Sequence, residues 1–239
     1  MGGGNQTYPD DSLQWLVGTW WVEDEEQAVK RGRLLRAFVP HVDQQPMTLV
    51  PVGRTQPTEH QTATIRLEPL RAGAPRRAPQ LPVAALPQFA GEVRTVYRAK
   101  LRPVLVLSAG GPDIDQALRT GTARWQTAPT LLVAPFYGVD PGGTRGGWRP
   151  EIVERIRHCE YPQYFWDRLP LPGAAESILR FDHIQPIGRH HNAYELTPHR
   201  LSNEALSVLD EWLVWLFRDL LVADGVLADV RAELLKLSS

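Results

Sequence analysis

The chain has 239 residues, of which 43% are hydrophobic and 22% charged, and its formal net charge is −1. These proportions are those of a globular protein and exclude an extensively disordered chain. A single cysteine, Cys159, excludes an intrachain disulfide framework. No apolar run approaches the about 18–20 residues of a membrane span, and the first thirty residues lack the apolar core of a secretory signal. We therefore expect a cytoplasmic protein.

The N-terminal segment is acidic and is followed by a basic one. Residues 1–30 carry six acidic residues and one lysine, whereas residues 31–102 carry twelve basic and four acidic residues. Two interpretations are open for this acidic, Trp-containing extension. Either residues 1–30 cover a basic surface that binds an anion, or their tryptophans complete the core while their acidic side chains face water.

The first half of the chain predicts mainly short strands. Residues 10–30 predict a helix, or a helix followed by a strand. Residues 33–40 and 47–54 predict short strands, and the apolar–polar alternation of residues 62–70 predicts a half-buried one. Residues 71–87 are rich in Pro and Arg, which predicts an extended loop because proline donates no backbone hydrogen bond.

The second half predicts further strands and then helices. Val- and Leu-rich runs predict buried strands, Ser202 is a predicted N-cap, and apolar residues at helical spacing follow it. The predicted strands are residues 103–108, 130–136, 151–159 and 176–187, with a loop at 138–150 and helices at 202–237. Because no βαβ alternation is present, we predict a mainly β (α+β) fold with C-terminal helices.

Four segments, in this order, resemble the MazF/PemK toxin family. They are residues 30–35 (KRGRLL), 100–108 (KLRPVLVLS), 129–135 (PTLLVAP), and 176–187 (ESILRFDHIQPI) followed by 200–202 (RLS) and a helix. The resemblance implies an SH3-like, PemK-type small barrel, expected from residues 31–54 and 100–187. Its domain would cover residues 31–239, with an insertion at 41–99 that the family does not have.

The resemblance also implies site residues. In the family, an Arg before Pro and a Thr after the VaP strand act together, and these positions hold Arg102 and Tyr137 here. Because their strands would be neighbours, we expect Arg102 within reach of Tyr137. His183 stands where the family usually has Gln, and is expected to be either a general base or a structural histidine. The expected RNA-binding residues are Arg31, Arg33, Lys100, Arg189 and His190.

The function that this resemblance implies is that of an endoribonuclease toxin. It would cleave single-stranded RNA by 2′-hydroxyl attack without metal or another cofactor, as a homodimer with an antitoxin partner. The insertions and Tyr137 in place of Thr favour an alternative, a catalytically inactive subunit that binds nucleic acid or protein in a defence or regulatory complex. A third possibility is inhibition of a protein target, as in gyrase-poisoning relatives of the same barrel.

Overall fold

A computed structural model describes residues 8–26, 28–56, 58–59, 62–73, 92–139, 147–173 and 176–237. The chain divides into two compact units, one formed by residues 39–100 and the other by the rest of the chain. The predicted insertion, residues 41–99, has nearly the bounds of the smaller unit. Residues 74–87 of the predicted Pro-rich loop and residues 140–146 of the next predicted loop lie outside the described residues.

The fold is mainly β, with a few helices. The described strands are β1 (Trp21–Glu23), β2 (Arg33–Pro40), β3 (Met47–Arg54), β4 (Ala63–Pro69), β5 (Thr95–Val96), β6 (Ala99–Ser108), β7 (Thr130–Gly138), β8 (Tyr164–Arg168), β9 (Glu176–Arg180), β10 (Gln185–Gly188) and β11 (Glu195–Leu201). The larger unit contains a curled antiparallel sheet in the order β1-β11-β2-β6-β7-β9-β8, and β10 also pairs with β7. Val- and Leu-rich β6 and β7 lie centrally, as their composition predicts.

The smaller unit has its own sheet, in the order β4-β3-β5. Strand β3 pairs with β4 along its whole length, from Met47 opposite Pro69 to Arg54 opposite Ala63. The expectation that residues 47–54 belong to the main barrel is therefore wrong. The place next to β2 is taken instead by β11, which the sequence did not predict as a strand.

The described helices are α1 (Leu13–Val17), α2 (Gln116–Arg119), α3 (Arg124–Thr127), α4 (Pro150–Arg157), α5 (Asn203–Arg218) and α6 (Val226–Leu237). The predicted strand at 151–159 is wrong, because these residues form α4. Pro150 occupies the first helical turn, and Val153 and Ile156 lie one turn apart on its buried face. Within the described residues, no helix is both long and apolar enough to cross a membrane.

The two predicted C-terminal helices are present, and the first packs on the core. The Ser202 hydroxyl accepts a hydrogen bond from the Ala205 N–H at 3.0 Å, which confirms the predicted N-cap. Trp212 and Trp215 are buried, and the Trp212 indole N–H donates to the Pro162 carbonyl at 2.7 Å. Phe217 on the same helix is 70% exposed.

Residues 8–26 belong to the larger unit. Leu13 and Trp20 are buried in the core, and the Trp20 ring stacks on Phe165 at 5.6 Å between centroids. Asp11 accepts hydrogen bonds from Arg157 and pairs with His158. These contacts support the part of the second interpretation in which the extension completes the core, here through Trp20. Trp15 is 55% exposed, and Asp11 and Asp24 form ion pairs instead of facing water.

Candidate active site

The register of two central strands places Arg102 beside Tyr137. In the β6–β7 ladder, Val104 lies opposite Pro135 and Leu105 opposite Ala134. Continuing this register towards the start of β6 puts Arg102 opposite Tyr137, with both side chains on one face of the sheet. The guanidinium carbon of Arg102 is 4.0 Å from the centroid of the Tyr137 ring, a close cation–π contact. The expected proximity of the two residues is therefore present.

An interruption between two strands brings His183 to the same place. Residues 176–187 do not form one strand, because a 3₁₀ turn at Phe181–His183 separates β9 from β10. Phe181 is buried and fixes this turn to the core. His183 consequently lies against Tyr137, with 2.7 Å between its Nδ1 and the tyrosine hydroxyl oxygen. Three residues from three separate segments thus meet at one point of the larger unit.

Arg180 is a fourth member of the cluster, and sequence reasoning missed it. Its Nη2 lies 3.0 Å from Nε2 of His183. Its Nε and Nη2 also donate to the two carboxylate oxygens of Asp182, at 2.7 and 2.5 Å. The Asp182 hydrogen bond raises the pKa of Arg180 above its usual value. The available signal was its position three residues before His183, within the predicted strand at residues 176–187.

These contacts fix the tautomer of His183. Arginine has only donors, so Nε2 of His183 accepts from Arg180 and carries no proton. In the neutral ring the proton is then on Nδ1, which donates to the Tyr137 oxygen. Both ring nitrogens are engaged, so the expected general-base role of His183 does not fit this arrangement. The geometry instead suits a histidine that orients the Tyr137 hydroxyl.

The positive charge of Arg102 distinguishes it from Arg180, the other arginine of the cluster. Its side chain is half-buried, and burial lowers the pKa of Arg102, an effect that Tyr137 opposes. Because the usual pKa of arginine is so high, the guanidinium keeps its charge. Among the described residues, no carboxylate forms an ion pair with Arg102, whereas Arg180 is paired with Asp182. Arg102 is therefore the cation of this cluster that is available to an external anion.

Arg33, an expected RNA-binding residue, has a structural role instead. Its side chain is fully buried. Its Nη2 donates to Asp24 at 2.6 Å, and its other donors reach the carbonyls of Asp24, Glu26, Ala28 and Thr197. The expectation that Arg33 binds RNA is wrong, because the guanidinium is enclosed and its donors are used within the fold.

Of the other expected RNA-binding residues, Lys100 lies two residues before Arg102 on β6. Arg31 forms an ion pair with Asp210. Arg189 and His190 are exposed and follow β10, whose last residue, Gly188, pairs with Thr130 at the start of β7. Tyr137 lies seven residues further along that strand, a distance of roughly 23 Å. Lys100 is exposed and belongs to the smaller unit.

Comparison of the chain with protein-family models, curated proteins and solved structures finds no match. The chemistry of the cluster is therefore argued from its own atoms. Its members supply an available guanidinium, a phenolic hydroxyl and a histidine that orients the hydroxyl. This donor set suits an anionic ligand with several oxygen acceptors, above all a phosphate group.

Proposed function

We propose that this protein is a metal-independent endoribonuclease of the MazF/PemK type that cleaves single-stranded RNA by 2′-hydroxyl attack. The observation that carries the proposal is the meeting of Arg102, Tyr137 and His183. The resemblance selected these residues from three separate segments, and they contact one another through 4.0 Å and 2.7 Å distances. Nothing in their local sequences requires them to converge.

The finer fold assignment, an SH3-like small barrel of the PemK type, is part of the same proposal. In its support, the sheet is antiparallel and curled, with β6, β7 and β9 as consecutive neighbours. The amphipathic α5 follows β11 directly, as the family's closing helix would. The strands β1 and β8 of this sheet lie outside the segments that carry the resemblance.

Arg102 is the proposed phosphate ligand. Two N–H groups of one guanidinium face reach two phosphate oxygens at once, which fixes the phosphate and offsets charge that grows in the transition state. Pro103 follows directly and restricts the backbone that carries this side chain. The ring of Tyr137 under the guanidinium limits its rotation.

Tyr137 is the proposed general acid. The 2′-oxygen attacks phosphorus, its proton passes to water, and the bond from phosphorus to the 5′-oxygen breaks. Tyr137 gives its proton to that 5′-oxygen, and the Nδ1–H of His183 stabilises the phenolate that forms. The products are a 2′,3′-cyclic phosphate and a free 5′-hydroxyl, and a proton from water then restores the tyrosine.

One observation favours a second candidate, an RNA-binding subunit without catalytic activity. Both ring nitrogens of His183 are engaged, by Arg180 and by Tyr137, so the cluster contains no histidine free to activate the 2′-hydroxyl. Such a subunit would use Arg102 for phosphate binding alone. The two candidates differ in product formation and not in binding.

Purified protein incubated with single-stranded RNA in a chelator tests the proposal. We expect fragments that end in a 2′,3′-cyclic phosphate, identified by mass spectrometry. Arg102→Ala is expected to reduce the cleavage rate at least about 100-fold, since it removes a positioned electrostatic donor. The matched control is Arg218→Ala, which removes an exposed arginine from the end of α5.

Cleavage by wild-type protein that survives Arg102→Ala would contradict the assigned site. Binding without any cleavage would instead support the inactive subunit. A toxin that acts as a homodimer with an antitoxin partner is a further part of the proposal. Light scattering of the wild-type protein tests whether it is a homodimer.

A further inference from the structure

A row of aromatic side chains leads away from the Tyr137 cluster. Tyr164 at the start of β8 is its second ring, and Trp148 and Tyr161 are its outer rings. We call these three residues and Tyr137 the aromatic row. All four are half-buried, so each is anchored on the core while part of its ring remains accessible. Neither the sequence motifs nor the proposed function assigned a role to Tyr164, Trp148 or Tyr161.

Arg180 joins the two inner rings of the aromatic row. Its guanidinium carbon lies 5.8 Å from the Tyr137 centroid and 4.9 Å from the Tyr164 centroid. Further out, the Tyr164 ring is 5.5 Å from Trp148 and 6.2 Å from Tyr161. Both outer contacts are edge-to-face, with interplanar angles of 75° and 69°, so these rings are not stacked on one another.

A cleft of about 270 Å³ adjoins the Trp148 end of the row. Its walls combine apolar Val139 and Val153 with the charged side chains of Glu154, Arg157 and Glu176. This volume is slightly below the roughly 300–1,000 Å³ of pockets that hold drug-sized ligands, and a single base is smaller than such a ligand. A cleft with apolar walls and hydrogen-bonding side chains suits a planar heterocycle with polar substituents.

We infer that the aromatic row binds the unpaired bases of single-stranded RNA beside the phosphate held by Arg102, and this inference rests on the proposed function. Aromatic rings interleaved with guanidinium groups are the chemistry that stacks successive bases of a single strand. The cleft beside Trp148 receives the outermost base. A duplex is excluded from this site, because its bases are already stacked and paired.

The charges along the row agree with recognition by stacking. Arg180 is paired with Asp182, and Arg155, which lies over the Tyr161 ring, is paired with Glu160. The row therefore offers flat, nearly neutral surfaces, while the available positive charge lies at Arg102. An acidic peptide would need positively charged side chains along its whole length. Arg180 and Arg155 do not meet this need, because each is already paired with a carboxylate.

The test measures binding separately from cleavage. The probe is a fluorescent RNA of about eight nucleotides with 2′-O-methyl groups, which has no 2′-hydroxyl to attack phosphorus. We expect Trp148→Leu and Tyr164→Leu each to weaken its binding about tenfold. Tyr164→Phe, which keeps the ring, should bind within about twofold of wild type. Phe217→Leu removes an exposed aromatic ring on α5 and should have no effect.

Thermal unfolding of each variant shows whether its fold is kept, and Trp148→Leu carries the test if Tyr164→Leu does not fold. Unchanged affinity in Trp148→Leu, or equal binding of the same sequence as a duplex, overturns the inference even if Arg102→Ala abolishes cleavage. Ring-dependent binding without any cleavage supports the aromatic row and contradicts the endoribonuclease proposal. Absence of RNA binding overturns both.

Discussion

The larger unit contains two tyrosine–partner pairs with opposite surroundings. Tyr8 donates its hydroxyl hydrogen to buried Asp167 at 2.9 Å, and the Trp21 indole donates to the other carboxylate oxygen at 3.1 Å. Tyr137 accepts from His183 beside the available guanidinium of Arg102. The first pair is closed by the N-terminal segment, whereas the second is half-exposed. Both pairs contain a tyrosine hydroxyl bonded to a titratable side chain. Burial of the polar groups, more than residue type, therefore distinguishes the structural pair from the candidate site.

The two arginines of these regions differ in the same way. Arg33 on β2 is buried and binds Asp24 and several carbonyls, while Arg102 on β6 has no carboxylate partner among the described residues. Replacing Arg33 removes a donor from those carbonyls and from Asp24, which keeps its ion pair with Lys30. Replacing Arg102 deprives no buried acceptor of a partner. The predictions below test this difference, from the largest effect to the smallest.

Arg33→Leu is expected to lower the free energy of unfolding by about 3–5 kcal/mol, since it breaks a buried, hydrogen-bonded ion pair. Urea unfolding followed by circular dichroism measures the effect. Arg36→Leu, on an exposed position of the same strand, is the matched control and should change stability little. A small loss in Arg33→Leu would contradict the structural assignment of Arg33.

Tyr137→Phe is expected to reduce RNA cleavage about 100-fold, or about 2.7 kcal/mol, because it removes only the proposed acidic proton. RNA affinity should remain near that of wild type, since the ring under Arg102 is kept. Single-turnover cleavage and anisotropy measure the two quantities separately. Equal cleavage by the variant would show that another group protonates the 5′-oxygen.

Much of the larger unit's sheet was predictable because its strands carry local signals. Residues 130–136 are Val- and Leu-rich and bounded by turn residues, and they form most of β7. Residues 151–159 were wrongly predicted to be a strand. Their apolar residues, Ile152, Val153 and Ile156, fit the spacing of a helix as well as a partial apolar–polar alternation. The strands β8 and β11 were missed, since β8 is short and ends in two charged residues and β11 contains Pro198.

The candidate site was predictable only in part. Arg102, Tyr137 and His183 were identified through short motifs, and strand order placed the first two on neighbouring strands. The 3₁₀ turn that carries His183 into contact has no such signal, because it depends on where Phe181 packs. The burial of Arg33 was equally unpredictable, since its partners include the carbonyl of Thr197, far along the chain.

The closed pair of Tyr8 and Asp167 predicts that stability depends on pH. Burial raises the pKa of Asp167 to about 8, although hydrogen bonds from Tyr8 and Trp21 oppose this rise. The usual pKa of an unfolded-chain Asp is about 3.9, so between about pH 4 and pH 8 the folded state holds an additional proton. The contribution of Asp167 is thus fully present below about pH 4 and declines by about 1.4 kcal/mol per pH unit up to about pH 8.

Asp167→Asn should remove this slope, because the amide does not titrate. Urea unfolding at several pH values between about 4 and 8 measures the slope in both proteins. Asp182→Asn, which removes an exposed carboxylate paired with Arg180, provides the comparison for loss of a carboxylate outside the closed pair. A wild-type stability that rises steadily over this interval, with no difference in Asp167→Asn, would contradict the enclosed state of Asp167.

Arg102→Ala is expected to change stability least, by no more than about 1 kcal/mol, the usual value of an isolated cation–π contact. Differential scanning fluorimetry beside Arg33→Leu makes the comparison direct. A loss of stability as large as that of Arg33→Leu would show that Arg102 has a structural role and is not available to bind a ligand.

The salt dependence of RNA binding tests the central claim, that the Arg102 guanidinium binds a phosphate group of the RNA. The affinity of the 2′-O-methylated RNA is measured from about 50 to about 200 mM salt for wild type, Arg102→Ala and Arg218→Ala. Loss of one phosphate contact should reduce the slope of log K against log salt by about 0.7 in Arg102→Ala. Arg218→Ala should keep the wild-type slope. An unchanged slope in Arg102→Ala would contradict the account.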